Sequence, residues 1–309
     1  MWKLLMPLAF FGGLGAGAVD AGLNHYVESR FGHSVMQWMH ASYGIGVTTG
    51  PLIMTFAIAQ WNTWRGGFMV VGSVQLILTL IFISVRSRWD QPVGHIKPDA
   101  STQADAVAPR GMMESLRNAR TWLSGLLFLT YVGVEAGLGV WAFTFLTEAK
   151  GMGTQSSGFW VGAYWASFTI GRIASGFLVS RIASTRLLLG GVIGAAAGVA
   201  LLAVDGPRLL PLAALMLSGL ALSPMFAALM STTSLRVGRA HTSNTIAMQI
   251  GFAGLGGGFL PALAGIIAQN FGLTVIPLWL LLLLAILLML IIVLNRPAGS
   301  GQYKAPDQP

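Results

Sequence analysis

The chain has 309 residues, 54% of them hydrophobic and 9% charged, with a mean hydropathy of +0.70. A soluble domain is about a quarter charged, so this composition excludes one and describes a chain that crosses the membrane repeatedly. The lack of cysteine excludes a disulfide framework, a thiolate nucleophile and a cysteine-bound metal. The net charge of +8 is read as cytoplasmic-loop arginine and lysine, not as a nucleic-acid surface.

Nine apolar segments have the length of a membrane-crossing helix, about 20 residues: 4–26, 36–59, 66–85, 123–146, 158–180, 186–204, 209–230, 246–269 and 274–294. The start, Met1-Trp2-Lys3, runs straight into a full span, not into a short apolar region with a cleavage site. In that first span Gly13, Gly17, Asp20 and Asn24 share one helical face, with Leu14, Val19 and Leu23 opposite. The expectation is a helix that packs through its glycines and turns Asp20 inward.

The connections are short except 86–122, a polar stretch with three prolines and a short helical piece near Met112–Asn118. The glycine-rich run 254–258 lies inside an apolar span, with no strand before it and no Lys-Ser/Thr after it, so it is not a phosphate loop. The last span is apolar all round and reads as a lipid-facing support helix.

Alternating the loops leaves only Lys3, Arg65, Lys150 and Arg208, of the 18 basic residues, on one side. That bias places the N-terminus outside and the C-terminus in the cytoplasm of a cell (inner) membrane protein. Trp38, Trp61, Trp64, Trp89, Trp122 and Trp160 fall near expected interfaces. The spans group in threes, 4–85, 123–204 and 209–294, with the long loop after the first group. The first helix of each of the first two groups carries the membrane-embedded acids, Asp20 and Glu135.

Several short runs, in order and on these spans, carry a resemblance: Gly17-x-x-Asp20-x-x-x-Asn24, Gly46-x-x-x-Gly50-Pro51, Tyr131-Val-Gly-Val-Glu135 with Trp141, Gly171-Arg172-x-x-x-Gly176, Ser223-Pro224, and Gly256-Gly-Gly-Phe-Leu-Pro261 with Gly265. The sequence resembles the major facilitator superfamily over all its residues, corresponding to helices four to twelve of twelve. Within that superfamily it is most similar to the fucose–proton symporter group. It departs from the superfamily's loop signature in having Ser180 where an aspartate is expected, while keeping Gly176, Arg181 and Arg186.

The resemblance implies an all-α membrane protein of incomplete major-facilitator architecture, about nine helices in three-helix repeats. Residues 1–85 would be the remnant of an N-terminal half, 86–122 the cytoplasmic inter-half loop, 123–295 a C-terminal half of six helices and 296–309 a cytoplasmic tail. The missing helices would come from a longer reading frame. The implied function is proton-coupled symport of a small hydrophilic solute, a sugar or sugar-like compound, by alternating access. Two alternatives stay open. One is drug or metabolite efflux, which the Gly46–Pro51 motif resembles. The other is a truncated paralogue that does not transport. No nucleophile–base pair, metal cluster or nucleotide motif is present, so neither an enzyme nor a cofactor or metal is expected.

Asp20 and Glu135 are the candidate proton-coupling or substrate-binding acids, since a lone carboxylate in a span costs roughly 2.5–3.5 kcal/mol on insertion scales. Asn24 would bond a solute hydroxyl or the surroundings of Asp20. Tyr43 suits a sugar with both ring and hydroxyl. Trp141 is a stacking platform or plain packing, since it lies about 120° off the Glu135 face. His40 is expected to be satisfied by a neighbour, with pairing to Asp20 as the alternative. His25 is expected to pack at the interface. Arg172 is expected to snorkel and, with Arg181, to pin a gate; the other reading pairs Arg172 with Asp20 or Glu135. Asn244 and Gln249 read as interhelical glue.

Overall fold

A computed structural model describes residues 2–31, 33–88, 110–178 and 181–295. The described chain is helical without a strand. In order it runs α1 (Trp2–Arg30), α2 (His33–Trp61), α3 (Trp64–Ser84), α4 (Met112–Leu116), α5 (Ala119–Thr144, continued by a π turn Phe145–Ala149) and α6 (Thr154–Leu178). Then come α7 (Ser184–Ala203), α8 (Leu210–Leu222), α9 (Met225–Ser231), α10 (Thr233–Val237), α11 (Thr242–Phe271) and α12 (Val275–Asn295). The expected spans coincide with α1, α2, α3, α5, α6, α7, the α8–α9 pair, α11 and α12. Most of the 86–122 loop, Trp89, Ser180 and the 296–309 tail lie outside the described residues.

Among the described residues six helices are long and apolar enough to cross a membrane by length and composition: α3, α5 with its π turn, α7, α8–α9, α11 with the turn before it, and α12. The other three long helices, α1, α2 and α6, have 29, 29 and 25 residues. At about 1.5 Å per residue each exceeds the roughly 30 Å hydrocarbon core. These three carry Asp20, Asn24, Gln37, His40 and Arg172, which meet one another as described below.

α5 forms the centre and packs against α11 and α12, while α8 lies between α6 and α7. Glycines set these approaches. A Cβ on Gly256 of α11 would overlap the Leu129 carbonyl of α5, and a Cβ on Gly219 of α8 would stand 2.6 Å from the Tyr164 carbonyl of α6. The stripe Gly13 and Gly17 does not behave this way. Neither glycine has an atom within 4 Å of where a Cβ would stand, and Asp20 is exposed. Here the expectation is corrected, because α1 meets α2, α9 and α11 with its C-terminal half, where Asn24 and Val27 are buried.

α12 buries Ile276, Leu280, Leu283, Leu284, Leu287 and Ile291, and leaves Leu278, Leu282 and Met289 exposed. Its buried face packs on α5 and α7 and its exposed face suits lipid. Both faces are apolar, so the sequence shows no stripe. Trp160 is 5% exposed and belongs to the core, not to an interface.

The seventh span breaks at Ser223–Pro224. Proline has no N–H for the carbonyl four residues back, and the Ser223 hydroxyl donates to that carbonyl, Leu220 O, at 2.8 Å. At the other end of the bundle Lys150 Nζ donates to Asp205 Oδ1 at 2.6 Å, which holds that exposed carboxyl below its usual range. The short helix expected near Met112–Asn118 is α4. Asn244 Nδ2 fixes it to the start of α11 by donating to the Arg110 carbonyl at 2.9 Å and to Ser115 Oγ at 3.0 Å.

Candidate functional site

The N-terminal half of α2 is the wall on which the site is built. Met36, Gln37, His40, Ala41 and Gly44 are buried along it, at the spacing of one helical face. This face packs on α6 and α9. Ser34 Oγ donates to the Gly176 carbonyl at 3.0 Å, and the Trp38 ring covers Gly176 and meets Phe177 edge-on at 4.8 Å. Ser175 Oγ donates to Gln37 Oε1 at 2.8 Å, and Gln37 Nε2 donates to the Pro224 carbonyl at 3.1 Å. A Cβ on Gly44 would lie 3.1 Å from Thr169. Beyond Gly44 the exposed residues Ile45, Gly46, Thr49 and Phe56 follow. The α2–α6 seam is therefore closed from Ser34 to Gly44.

At the head of this seam the candidate residues are joined in one polar chain. Asn24 Nδ2 donates to Asp20 Oδ1 at 2.8 Å and to the Asp20 carbonyl at 2.9 Å. Asn24 Oδ1 lies 3.0 Å from His40 Nε2, so the ring nitrogen donates there. The His40 carbonyl accepts from Arg172 Nη1 at 3.2 Å. Arg172 Nη2 stands 3.7 Å from Glu135 Oε1, an ion pair too long to be a hydrogen bond. Asp20 on α1 and Glu135 on α5 are thus linked through α2 and α6. The first acid is exposed and the second buried.

Arg172 does not snorkel. It is 2% exposed, and its guanidinium carbon lies 4.4 Å from the Phe168 ring centroid and 5.0 Å from that of Tyr43. Its Nε has no partner. The expected snorkelling is corrected: Arg172 is buried as the counter-charge of Glu135, the other reading of it, and is held by the His40 carbonyl between two aromatic rings. Tyr43 itself is 57% exposed and so presents one edge to open space. His40 is satisfied by Asn24 and reaches Asp20 only through that amide.

The other candidates are placed differently. Trp141 Nε1 donates to the Pro261 carbonyl at 2.9 Å and its ring lies against Gly265, so its polar atom is committed to the α5–α11 contact. Trp141→Phe is expected to lower thermal stability by about 1 kcal/mol, the usual value of one hydrogen bond, and to leave solute affinity unchanged. A large loss of affinity at unchanged stability would restore Trp141 to the site. Arg181 is exposed just beyond α6. Gln249 is buried and accepts from Thr233 Oγ1 at 3.1 Å. Sequence reasoning missed Gln37 and Ser175; the signal available was a glutamine three residues before His40 on a buried face. Tyr164, also missed, is fully buried and donates to the Glu135 carbonyl at 3.1 Å.

Residues 1–253 match the model of a family described as the Major Facilitator Superfamily. The chain belongs to the major facilitator superfamily. As a member it is a multi-pass membrane protein of a transporter family, not an enzyme. Its fold is similar to that of the Escherichia coli fucose:proton symporter FucP in a variant form, with TM-score 0.67 and 16% identity over 91% of this chain and 74% of that one. A second FucP structure, in the outward conformation, gives TM-score 0.60 and 18% identity over 75% of this chain and 55% of that one. Among curated proteins it is similar to Bypass of stop codon protein 6 of Saccharomyces cerevisiae, 24% identical over 316 residues. That match takes in 88% of this chain and 60% of the yeast protein's length.

Proposed function

We propose that this superfamily member is a proton-coupled symporter of a small hydrophilic solute, a sugar or sugar-like compound, working by alternating access. The observation that carries the reading is the polar chain from exposed Asp20 through Asn24, His40 and Arg172 to buried Glu135. It supports coupling because each member sits on a different long helix or hands over to one. It crosses from α1–α2 to α5–α6, the two groups that would have to move. The likeness in fold to a fucose:proton symporter supports the choice of proton and of sugar.

In this reading residues 1–85 and 123–295 are the two moving parts, and the arginine-rich end of the bundle faces the cytoplasm. The closed Ser34–Gly44 seam would then lie on the cytoplasmic side and correspond to an outward-facing conformation. Solute hydroxyls would bind the exposed Asp20 and Tyr43, with buried Asn24 holding the Asp20 carboxylate in place. A proton taken by Glu135 would leave Arg172 held by the His40 carbonyl and two aromatic faces, without its carboxylate. Burial of an unbalanced charge is costly, so the energy of the seam depends on whether Glu135 carries the proton. Arg181 would act at the gate beyond α6.

The test uses the full reading frame in energy-depleted cells. Addition of the right solute should make the medium alkaline as protons enter with it, and Asp20→Asn should reduce that signal at least about tenfold, an effect of 1.4 kcal/mol. Solute uptake with no proton movement would leave a transporter of another coupling. Acidification as the added solute enters, with protons leaving in exchange, would favour a proton antiporter and so efflux.

A further inference from the structure

At the same end of the bundle as the closed seam, a cavity of about 760 Å³ opens between the starts of α5 and α7, the α9–α10 corner and the end of α12. Arg120, Arg236 and His241 line it together with Ser184, Thr185 and Thr232, and among the described residues no carboxylate does. The first turn of α7, at Ser184 and Thr185, has neither an acidic residue nor a side-chain cap. Its N–H groups therefore add partial positive charge to the same space.

Arg236 gives the second, independent observation. It is 4% exposed and fixed at the corner: Nη1 donates to Thr232 Oγ1 at 2.6 Å, and Nη2 to Thr233 Oγ1 at 3.1 Å and to the Leu229 carbonyl. Its Nε has no partner. Among the described residues no carboxylate stands within ion-pair distance of it. Glu28, hydrogen-bonded to Ser234, acts on it from outside the cavity lining. Burial pushes the guanidinium down to about 10, so it is still a cation at neutral pH. A buried cation with an unused donor is expensive unless an anion completes it. On the apolar side, Leu188 and Leu294 line the cavity beside Leu235, which is 79% exposed.

We propose that this cavity binds a phosphate group, with Arg120, Arg236, His241 and the start of α7 as its donors. The phosphate could belong to the headgroup of an anionic phospholipid or to a free phosphate compound. The exposed leucine edge suits the acyl chains of the former.

Arg236 also holds the α9–α10 corner together, and Arg120 Nη1 donates to the Arg236 carbonyl at 3.1 Å, so the test pairs Arg120→Gln, whose amide can keep that bond, with the cavity-filling Thr185→Trp. The full reading frame is placed in bilayer discs of phosphatidylcholine alone or mixed with phosphatidylglycerol. Inorganic phosphate and pyrophosphate are titrated into the neutral discs. The expected result is a rise of several degrees in thermal midpoint with phosphatidylglycerol, and retention of that lipid in native mass spectra. Both effects should be lost in each variant. The same variant-sensitive rise with soluble phosphate instead would assign the site to a free compound. No rise with any probe, or an equal rise in wild type and both variants, overturns the proposal.

Discussion

Glu135→Gln is expected to abolish concentrative uptake while sparing solute exchange. Glutamine keeps the shape of the side chain but cannot carry a proton across, so a gradient no longer drives the cycle. Exchange needs only a cleft that reopens with solute bound. The substitution also strips Arg172 of its counter-charge. That guanidinium is 2% exposed, so solvent gives it nothing in return. Breaking a buried pair by removing one partner costs about 3–5 kcal/mol. The lower end applies here, because the pair is 3.7 Å long and the His40 carbonyl still holds Arg172. The double variant Glu135→Gln/Arg172→Gln removes both charges and should be more stable than Arg172→Gln alone, which leaves a lone buried carboxylate. Counterflow and gradient-driven uptake on the same vesicles, with thermal midpoints, check all three. Persistent concentrative uptake in Glu135→Gln would remove Glu135 from the coupling path.

Gly256→Ala should disrupt folding, whereas Gly254→Ala, two residues away, should not. The methyl group at position 256 would occupy the place of the Leu129 carbonyl, and backbone cannot turn aside as a side chain end can. α5 and α11 would have to separate along their contact. Overpacking of this kind costs typically about 1–3 kcal/mol, occasionally more, and the upper end is expected where the obstacle is backbone. Nothing lies within 4 Å of the Cβ position at 254. Membrane-inserted yield and thermal midpoint of the two variants measure the difference. Equal behaviour would mean that α5 and α11 do not approach as described.

The long helices of the described residues were legible in the sequence because membrane length and apolarity mark them directly. α4 was legible because Met112–Asn118 is an apolar-patterned piece in a polar loop. Which glycines matter was not legible. Gly17 and Gly256 both sit in apolar glycine-rich runs, and only the second has a backbone against it. The two acids were legible by their cost in a membrane. Their connection was not, since it runs through Asn24, His40 and Arg172 on three helices. Arg172 was misread because a cation near a span end ordinarily escapes to water, and only the packing of α2 over it shows that it does not. Trp141 was ambiguous from its angle alone; its bond to Pro261 is a contact between distant parts of the chain.

The bond from Gln37 to the Pro224 carbonyl bears on how the seam parts. That carbonyl also accepts from the Ala228 backbone N–H, so it keeps a partner when α2 moves away, while the Gln37 amide does not. Ser175 loses its Gln37 acceptor at the same moment but retains the Arg172 carbonyl. The burden of separation therefore falls on one amide, which has to be hydrated before it can be released. Under the proposed alternating-access cycle, opening would be expected to depend on how readily solvent wets this dry interface.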